Sequence, residues 1–459
     1  MSRVSTPRPS NKVAIRRGLI GAVILVVLLA AIFVLLGYVR QAQPSAAPPN
    51  PRPAPVAAQP SSKPSEAARP APRIREVREL LRGRAEAVRT GNRAAFLAGI
   101  DPAAPEAFRA AQSRLFDNLR GVPLATWYYE LDPRFATDPA GLAPQPGDPD
   151  ELWAPKVELG YALAGIDERP TTRPMGYLFA RKGNHWYLSS DTALGPGKTW
   201  RGPWDYGPCQ TLRTQSGLVL YHQAGKASAQ AVGAQLDAAV RAVTAVWGNG
   251  WSRKVAVFVP GGAEELRSLV GPEFAANTIA AVAVADSVNA REHVATGQRV
   301  VLNPDGAAQL SPQALSIVLR HEITHIAARK DTVDGAPMWL TEGFADYVGY
   351  VSSGIPVAKA APDLAAEVRD GDVPEELPAD TDFQADANTL DLAYQQGWTL
   401  CASISARYGQ PKLVRFFLDV SRLGKIDEAR LGRITQRDLG VDLDGLVRNW
   451  QGYLHSVLR

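Results

Sequence analysis

From Gly18 to Val39 the chain runs for 22 residues without a charge, in a stretch dominated by Leu, Ile, Val and Ala. At a helical rise of about 1.5 Å per residue such a run reaches about 33 Å, enough to cross the ~30 Å hydrocarbon layer of a bilayer. Arg3, Arg8, Lys12, Arg16 and Arg17 precede it with no acidic residue among them, and only Arg40 and Arg52 lie close behind it. The positive-inside bias therefore predicts residues 1–17 as a cytoplasmic tail and 18–39 as a single membrane-spanning helix. Everything after residue 40 then lies on the outer side of the cell membrane. A cleaved signal peptide is the competing reading. The length of the run, and the lack of a small-residue cleavage site at Tyr38-Val39-Arg40-Gln41, favour an uncleaved anchor.

Residues 40–72 are almost wholly Pro, Ala, Ser, Gln and Asn. That composition buries too little apolar surface to fold, and its prolines favour extended chain, so it reads as a semi-rigid linker. Residues 1–73 hold ten Lys/Arg and one acidic residue, while the remainder holds 40 basic and 45 acidic residues. The basic balance thus belongs to the N-terminal segment. The folded part is mildly acidic and lacks the clustered basic character of a nucleic-acid-binding body, so no nucleic-acid partner is expected. Cys209 and Cys401 are the only cysteines. They form no thiolate metal pattern, and the sequence leaves open whether they pair or remain buried thiols.

The block 73–200 begins helically, with Ile74, Val77, Leu80, Leu81 and Ala85 spaced for one helix face and a second helix over residues 106–119. The period then changes. Residues 124–131, 153–163, 176–182 and 185–190 read as strands separated by Pro, Gly and Asp turns. Two helices followed by a run of strands make a small α+β domain. Its layout resembles the cone-shaped nuclear-transport-factor-2-like fold, which implies a curved sheet around helices and a spacer or recognition role. His185 reads as a strand residue, not a ligand.

A Gly/Pro/Trp-rich seam at residues 195–207 predicts a boundary, giving a second domain over 201–459. There, residues 217–221, 255–259, 280–285 and 299–302 read as strands and 227–247 as a long helix, with mostly helical chain afterwards. The expected fold class is α+β, with a small mixed sheet and a helical half.

Chemistry concentrates at His321-Glu322-Ile323-Thr324-His325. Ser311 and Pro312 are suited to open a helix through this run. On it, His321 and His325 are four apart and project from one side, so they can grip one metal ion. Glu322 lies next round the helix, placed to reach a metal-bound water. This spacing is that of a zinc site with its general base built in. Zinc needs a third protein ligand. The segment Pro337-Met338-Trp339-Leu340-Thr341-Glu342-Gly343-Phe344-Ala345-Asp346-Tyr347 offers Glu342, and Asp346 one turn on can accept a hydrogen bond from a zinc-bound histidine, His321.

Together these two segments resemble the gluzincin metallopeptidases, and the Trp-Leu-Thr-Glu342-Gly-Phe-Ala stretch is similar to the aminopeptidase N family. The sharp likeness covers about 27 residues. It implies a zinc-dependent peptidase acting on peptide or protein substrates, with Zn2+ on His321, His325 and Glu342, and Glu322 as general base. It also implies an edge strand holding extended substrate, for which residues 299–302 are the candidate, and an oxyanion-stabilising tyrosine, for which Tyr394 is the candidate. His293 and His455 are weaker alternatives, and His222 is expected to have no catalytic role. The Gly-x-Met-Glu-Asn run that captures a free N-terminus in aminopeptidases is absent, since the only methionines are Met1, Met175 and Met338. End-trimming and internal cleavage therefore both stay open. The rival expectations are an inactive peptidase-fold binder and a membrane-tethered scaffold working through residues 73–200. Oligomeric state is not legible.

Overall fold

The computed structural model describes residues 71–142, 147–271 and 279–458. The expected cytoplasmic tail, membrane helix and nearly all of the linker lie outside the described residues. Among the described residues no helix is long and apolar enough to cross a membrane. Those residues divide into two compact units, 71–209 and 210–458, so the Gly195–Gly207 seam falls inside the first. Cys209 and Cys401 are both buried thiols and not halves of a disulfide.

In the first unit, helices α1 (Pro72–Thr90), α2 (Arg93–Ala98) and α3 (Glu106–Asn118) precede five strands. These are β1 (Leu124–Thr137), β2 (Glu151–Leu163), β3 (Thr171–Met175), β4 (Leu178–Lys182) and β5 (His185–Ser190). The sheet runs β1-β2-β4-β5, with β3 also paired to β2, and all these pairings are antiparallel. Along β1, Trp127 and Leu131 are buried while Glu130 is exposed. That is the alternation of a sheet covered on one face. Here α1 covers it, through Val77, Leu81 and Ala85.

The second unit carries a five-stranded mixed sheet in the order β6-β7-β8-β12-β9. Its strands are β6 (Gln210–Arg213), β7 (Gly217–Tyr221), β8 (Val255–Val259), β9 (Ala281–Val284) and β12 (Arg299–Leu302). A separate ribbon pairs β10 (Ser287–Asn289) with β11 (Val294–Thr296). Strands β7, β8 and β12 are mutually parallel, and β6 and β9 close the two edges antiparallel. The parallel step from β7 to β8 needs a crossover, supplied by helix α4 (Lys226–Trp247). After β8 comes α5 (Ala263–Val270).

One expectation is corrected here. Residues 299–302 are not an edge: β12 lies between β8 and β9, and all four of its residues are buried. Its unbroken apolar run Val300-Val301-Leu302 is the pattern of an interior strand. The edge on this side is β9.

Beyond the sheet the chain is helical: α6 (Pro304–Ala307), α7 (Pro312–Ala328), α8 (Met338–Tyr350), α9 (Val357–Ala360), α10 (Pro362–Asp370), α11 (Ala387–Tyr408), α12 (Gln410–Ser421), α13 (Glu428–Leu439) and α14 (Leu443–Val457). Helix α7 packs against α4, β9 and α8, and α8 in turn packs against α11. A single apolar cluster runs from Val257 through Val240, Leu319 and Phe344 to Leu400 and Trp450.

Candidate metal centre

Helix α7 starts as its sequence dictates. The Ser311 hydroxyl accepts from the Ala314 N–H at 3.1 Å, with Pro312 in the first turn. Because sheet, α4 and α8 surround it, the helix is buried almost all round, and His321, Glu322 and Thr324 are buried with the apolar residues. Helix α8 follows Pro337, and its first N–H, that of Met338, donates to Asp380 Oδ1 at 2.8 Å. Its depth is set by glycine. A Cβ at Gly343 would overlap the backbone of Gly397 on α11, so the two helices cross backbone to backbone. That crossing holds the next residue back, Glu342, and the one a turn on, Asp346, inside the protein at 3% and 1% exposure.

Three ligand atoms converge. His321 Nε2 and His325 Nε2 are 3.0 Å apart, and Glu342 Oε2 stands 3.4 Å from each. Tetrahedral zinc bonds of about 2.0–2.1 Å put neighbouring ligand atoms roughly 3.3–3.4 Å apart. The triangle is thus the size of one face of a zinc tetrahedron, and its donor set of two imidazoles and a carboxylate suits that ion. Among the described residues these three form the one group of His, Cys, Asp or Glu able to hold a metal. Asp346 Oδ1 lies 2.7 Å from His321 Nδ1. Accepting the proton there fixes the tautomer and turns the Nε2 lone pair into the triangle.

Glu322 stands beside this group at 1% exposure, and neither of its carboxylate oxygens makes a well-formed hydrogen bond among the described residues. Burial pushes its pKa up to about 8, opposed mainly by the charge of His321. The backbone of Ala283 on β9 and the Arg329 guanidinium also temper the rise. Burial would raise Glu342 too, yet His325 and His321 outweigh it and hold the carboxyl at about 2. His321 is driven well above its ordinary value, because the Asp346 carboxylate overrides the penalty of burial. For His325 burial outweighs the opposing pull of Glu342, and its pKa is lowered. Arg329 Nη2, just past the end of α7, donates to Ala283 O at 2.7 Å and ties the helix to the edge strand. Nothing in the local sequence signals that contact, because 46 residues separate its ends.

The other candidates are placed elsewhere. Tyr394 is fully buried with its ring edge-on to Phe383 at 5.3 Å, so its hydroxyl is sealed from solvent. His222 pairs with Glu265 at 3.1 Å, and His293 Nδ1 lies 3.1 Å from Asp331 Oδ1. His185 is exposed beside Tyr187, and His455 sits on α14 outside the converging set.

No protein-family profile matches this chain, and no curated protein matches it. Among solved structures it is similar to a variant of a two-domain M1 zinc metallopeptidase bound to L-arginine, at 12% identity, over 70% of this chain and 93% of that one, with a TM-score of 0.33. It is also similar to an M1 zinc metallopeptidase variant from Deinococcus radiodurans bound to a Tyr-Ser-Ala substrate, at 12% identity, over 70% and 93%, with a TM-score of 0.32. The M1 zinc metallopeptidase from Deinococcus radiodurans itself matches at 12% identity, over 72% and 94%, with a TM-score of 0.31. Likeness this loose leaves the assignment to the site's own geometry.

Proposed function

We propose that this chain is a zinc-dependent peptidase of gluzincin type, tethered to the cell membrane by residues 18–39 with residues 73–459 on the outer side. The observation that carries the catalytic reading is the His321–His325–Glu342 triangle, with edges of 3.0, 3.4 and 3.4 Å, beside the buried carboxylate of Glu322. A zinc ion held by those three residues supplies an activated water and a polarised carbonyl for peptide hydrolysis.

The remaining steps belong to the protein. Glu322, a buried carboxylate beside the triangle, is placed to take a proton as the water attacks. It then delivers that proton to the leaving amine. Asp346 keeps His321 in the tautomer that presents Nε2. Strand β9, the sheet edge that runs beside Glu322, replaces residues 299–302 as the candidate for holding an extended substrate. An oxyanion role for Tyr394 requires its hydroxyl to be uncovered when substrate binds. The anchor reading rests on the uncharged run and the flanking arginines alone.

The test is cleavage of a diverse peptide library by the purified chain, with Glu322→Gln as its partner. The variant keeps one zinc per chain and loses about 100- to 10,000-fold in kcat. Undiminished turnover in Glu322→Gln would sink the mechanism.

A further inference from the structure

The first unit carries an open binding edge that the metal site does not use. Strand β1 is 14 residues long and, among the described residues, pairs with β2 on one side only. From Thr126 to Asp132 that pairing has no register shift. The Leu131 carbonyl points away from β2, since it accepts from Arg78 Nη2 at 3.5 Å. Because strand geometry repeats every two residues, Trp127 and Tyr129 also turn their backbone N–H and C=O groups to the open side. Between this edge and α1 lies a groove of about 1030 Å³. That is ample for several residues of extended chain, given that ligand pockets usually span about 300–1,000 Å³. Past Asp132, Pro133 and an irregularity before Ala136 end the regular edge. Natural sheets blunt exposed edges in this way, but here seven residues are left unblunted.

Of the charges lining the groove, Glu86 with Arg89, Asp132 with Arg134 and Glu158 with Lys156 are already paired, and those left unpaired are sorted by side. On the α1 wall, Arg78 and Arg82 are exposed and have no acidic partner among the described residues. On the opposite face of β1, Glu130 stands directly across from Glu158 in the β1–β2 register, and Glu130 has no cationic partner among the described residues. Lys156 already offsets Glu158 at 3.4 Å, which leaves Glu130 as the uncompensated charge on this face. A strand added to the β1 edge alternates its side chains between these two faces. We infer that β1 binds an extended peptide segment of another protein as a sixth strand. Its acidic or apolar side chains face Arg78 and Arg82, and basic ones alternate with them towards Glu130. A second copy of this chain fits less well, because self-pairing brings the same acids together. This inference stands apart from the peptidase reading and uses none of its residues.

The probe is the fluorescein-labelled octapeptide Lys-Glu-Thr-Val-Lys-Glu-Thr-Val, titrated by anisotropy into the full-length chain carrying Glu322→Gln. The expected result is binding about tenfold tighter than that of the block-ordered isomer Lys-Lys-Thr-Thr-Glu-Glu-Val-Val. Glu130→Lys and Arg82→Glu should each weaken it by about tenfold without lowering Tm, since both side chains are exposed. Chelating zinc should leave the affinity as it was. Equal binding of the two isomers, or indifference to both substitutions, overturns the inference. Loss of binding on chelation overturns it as well, by placing the probe at the metal centre. Self-association that Glu130→Lys abolishes, read by sedimentation, would install a second copy as the occupant and overturn it too.

Discussion

In residues 71–209 Arg84 reaches Asp191 through Gln112, and Arg201 contacts both Asp191 and Asp205. Two guanidiniums thus face two carboxylates, and the cluster is electrically closed. In residues 210–458, Glu322, Glu342 and Asp346 crowd around two imidazoles, with only Arg329 to offset them. With neutral histidines and ionised carboxylates, the forms that bind a metal, that cluster carries three negative charges against one positive, a deficit that a divalent cation cancels and that protons on His321 and Glu322 offset otherwise. Burying ions is expensive unless they are matched, so the same physics makes the first cluster a framework and the second a receptor. The difference between building with charge and binding with it can be read from charge balance before any ligand is seen.

Removing a ligand breaks this comparison most severely. His325→Ala or Glu342→Gln should cut zinc affinity by more than about 100-fold and bring turnover to background, measured by metal content after dialysis and by peptide cleavage. Persistent turnover in a metal-free variant would mean the second cluster is no receptor. Asp346→Asn should cost about 10- to 100-fold in zinc affinity or activity, because His321 loses the partner that orients it. In the closed cluster the effect moves to folding. Gln112→Ala should lower stability by about 1–3 kcal/mol, seen in denaturant melts, while turnover per bound zinc is unchanged.

The smallest effect is expected at Asp391, which burial and the charge of Asp363 push up to about 6. Its folded-state value exceeds that of an unfolded aspartate. Between about pH 4 and 6 the folded chain therefore holds the extra proton, and stability falls as pH rises through that window. Asp391→Asn should raise Tm by about 2 °C at pH 7, with the gain vanishing below about pH 4.

The metal triangle was legible because its information is local. A four-residue spacing on one helix and a second helix opened by Pro337 are properties of short segments, and burial preserves them. The strands over 217–221 and 255–259 were legible for the same reason, as apolar runs with turn residues on both sides. Strand β3 was not: Pro174 interrupts it, and it survives because Pro174 and its neighbours pair with β2 alone. The order of β9 and β12 depends on pairing across the sheet, which no local pattern encodes. The burial of Tyr394 follows from Phe383 on a preceding turn, a tertiary contact invisible to periodicity.

The crossing of α8 and α11 has a genetic corollary. Gly343 and Gly397 have no side chain to offer a metal, yet any side chain at Gly343 meets main chain that has nowhere to retreat. In a saturation scan scored on zinc loading, these two positions would rank with the histidines. A map of intolerance drawn from such a scan would outline the seam between two helices as sharply as the reaction centre it supports.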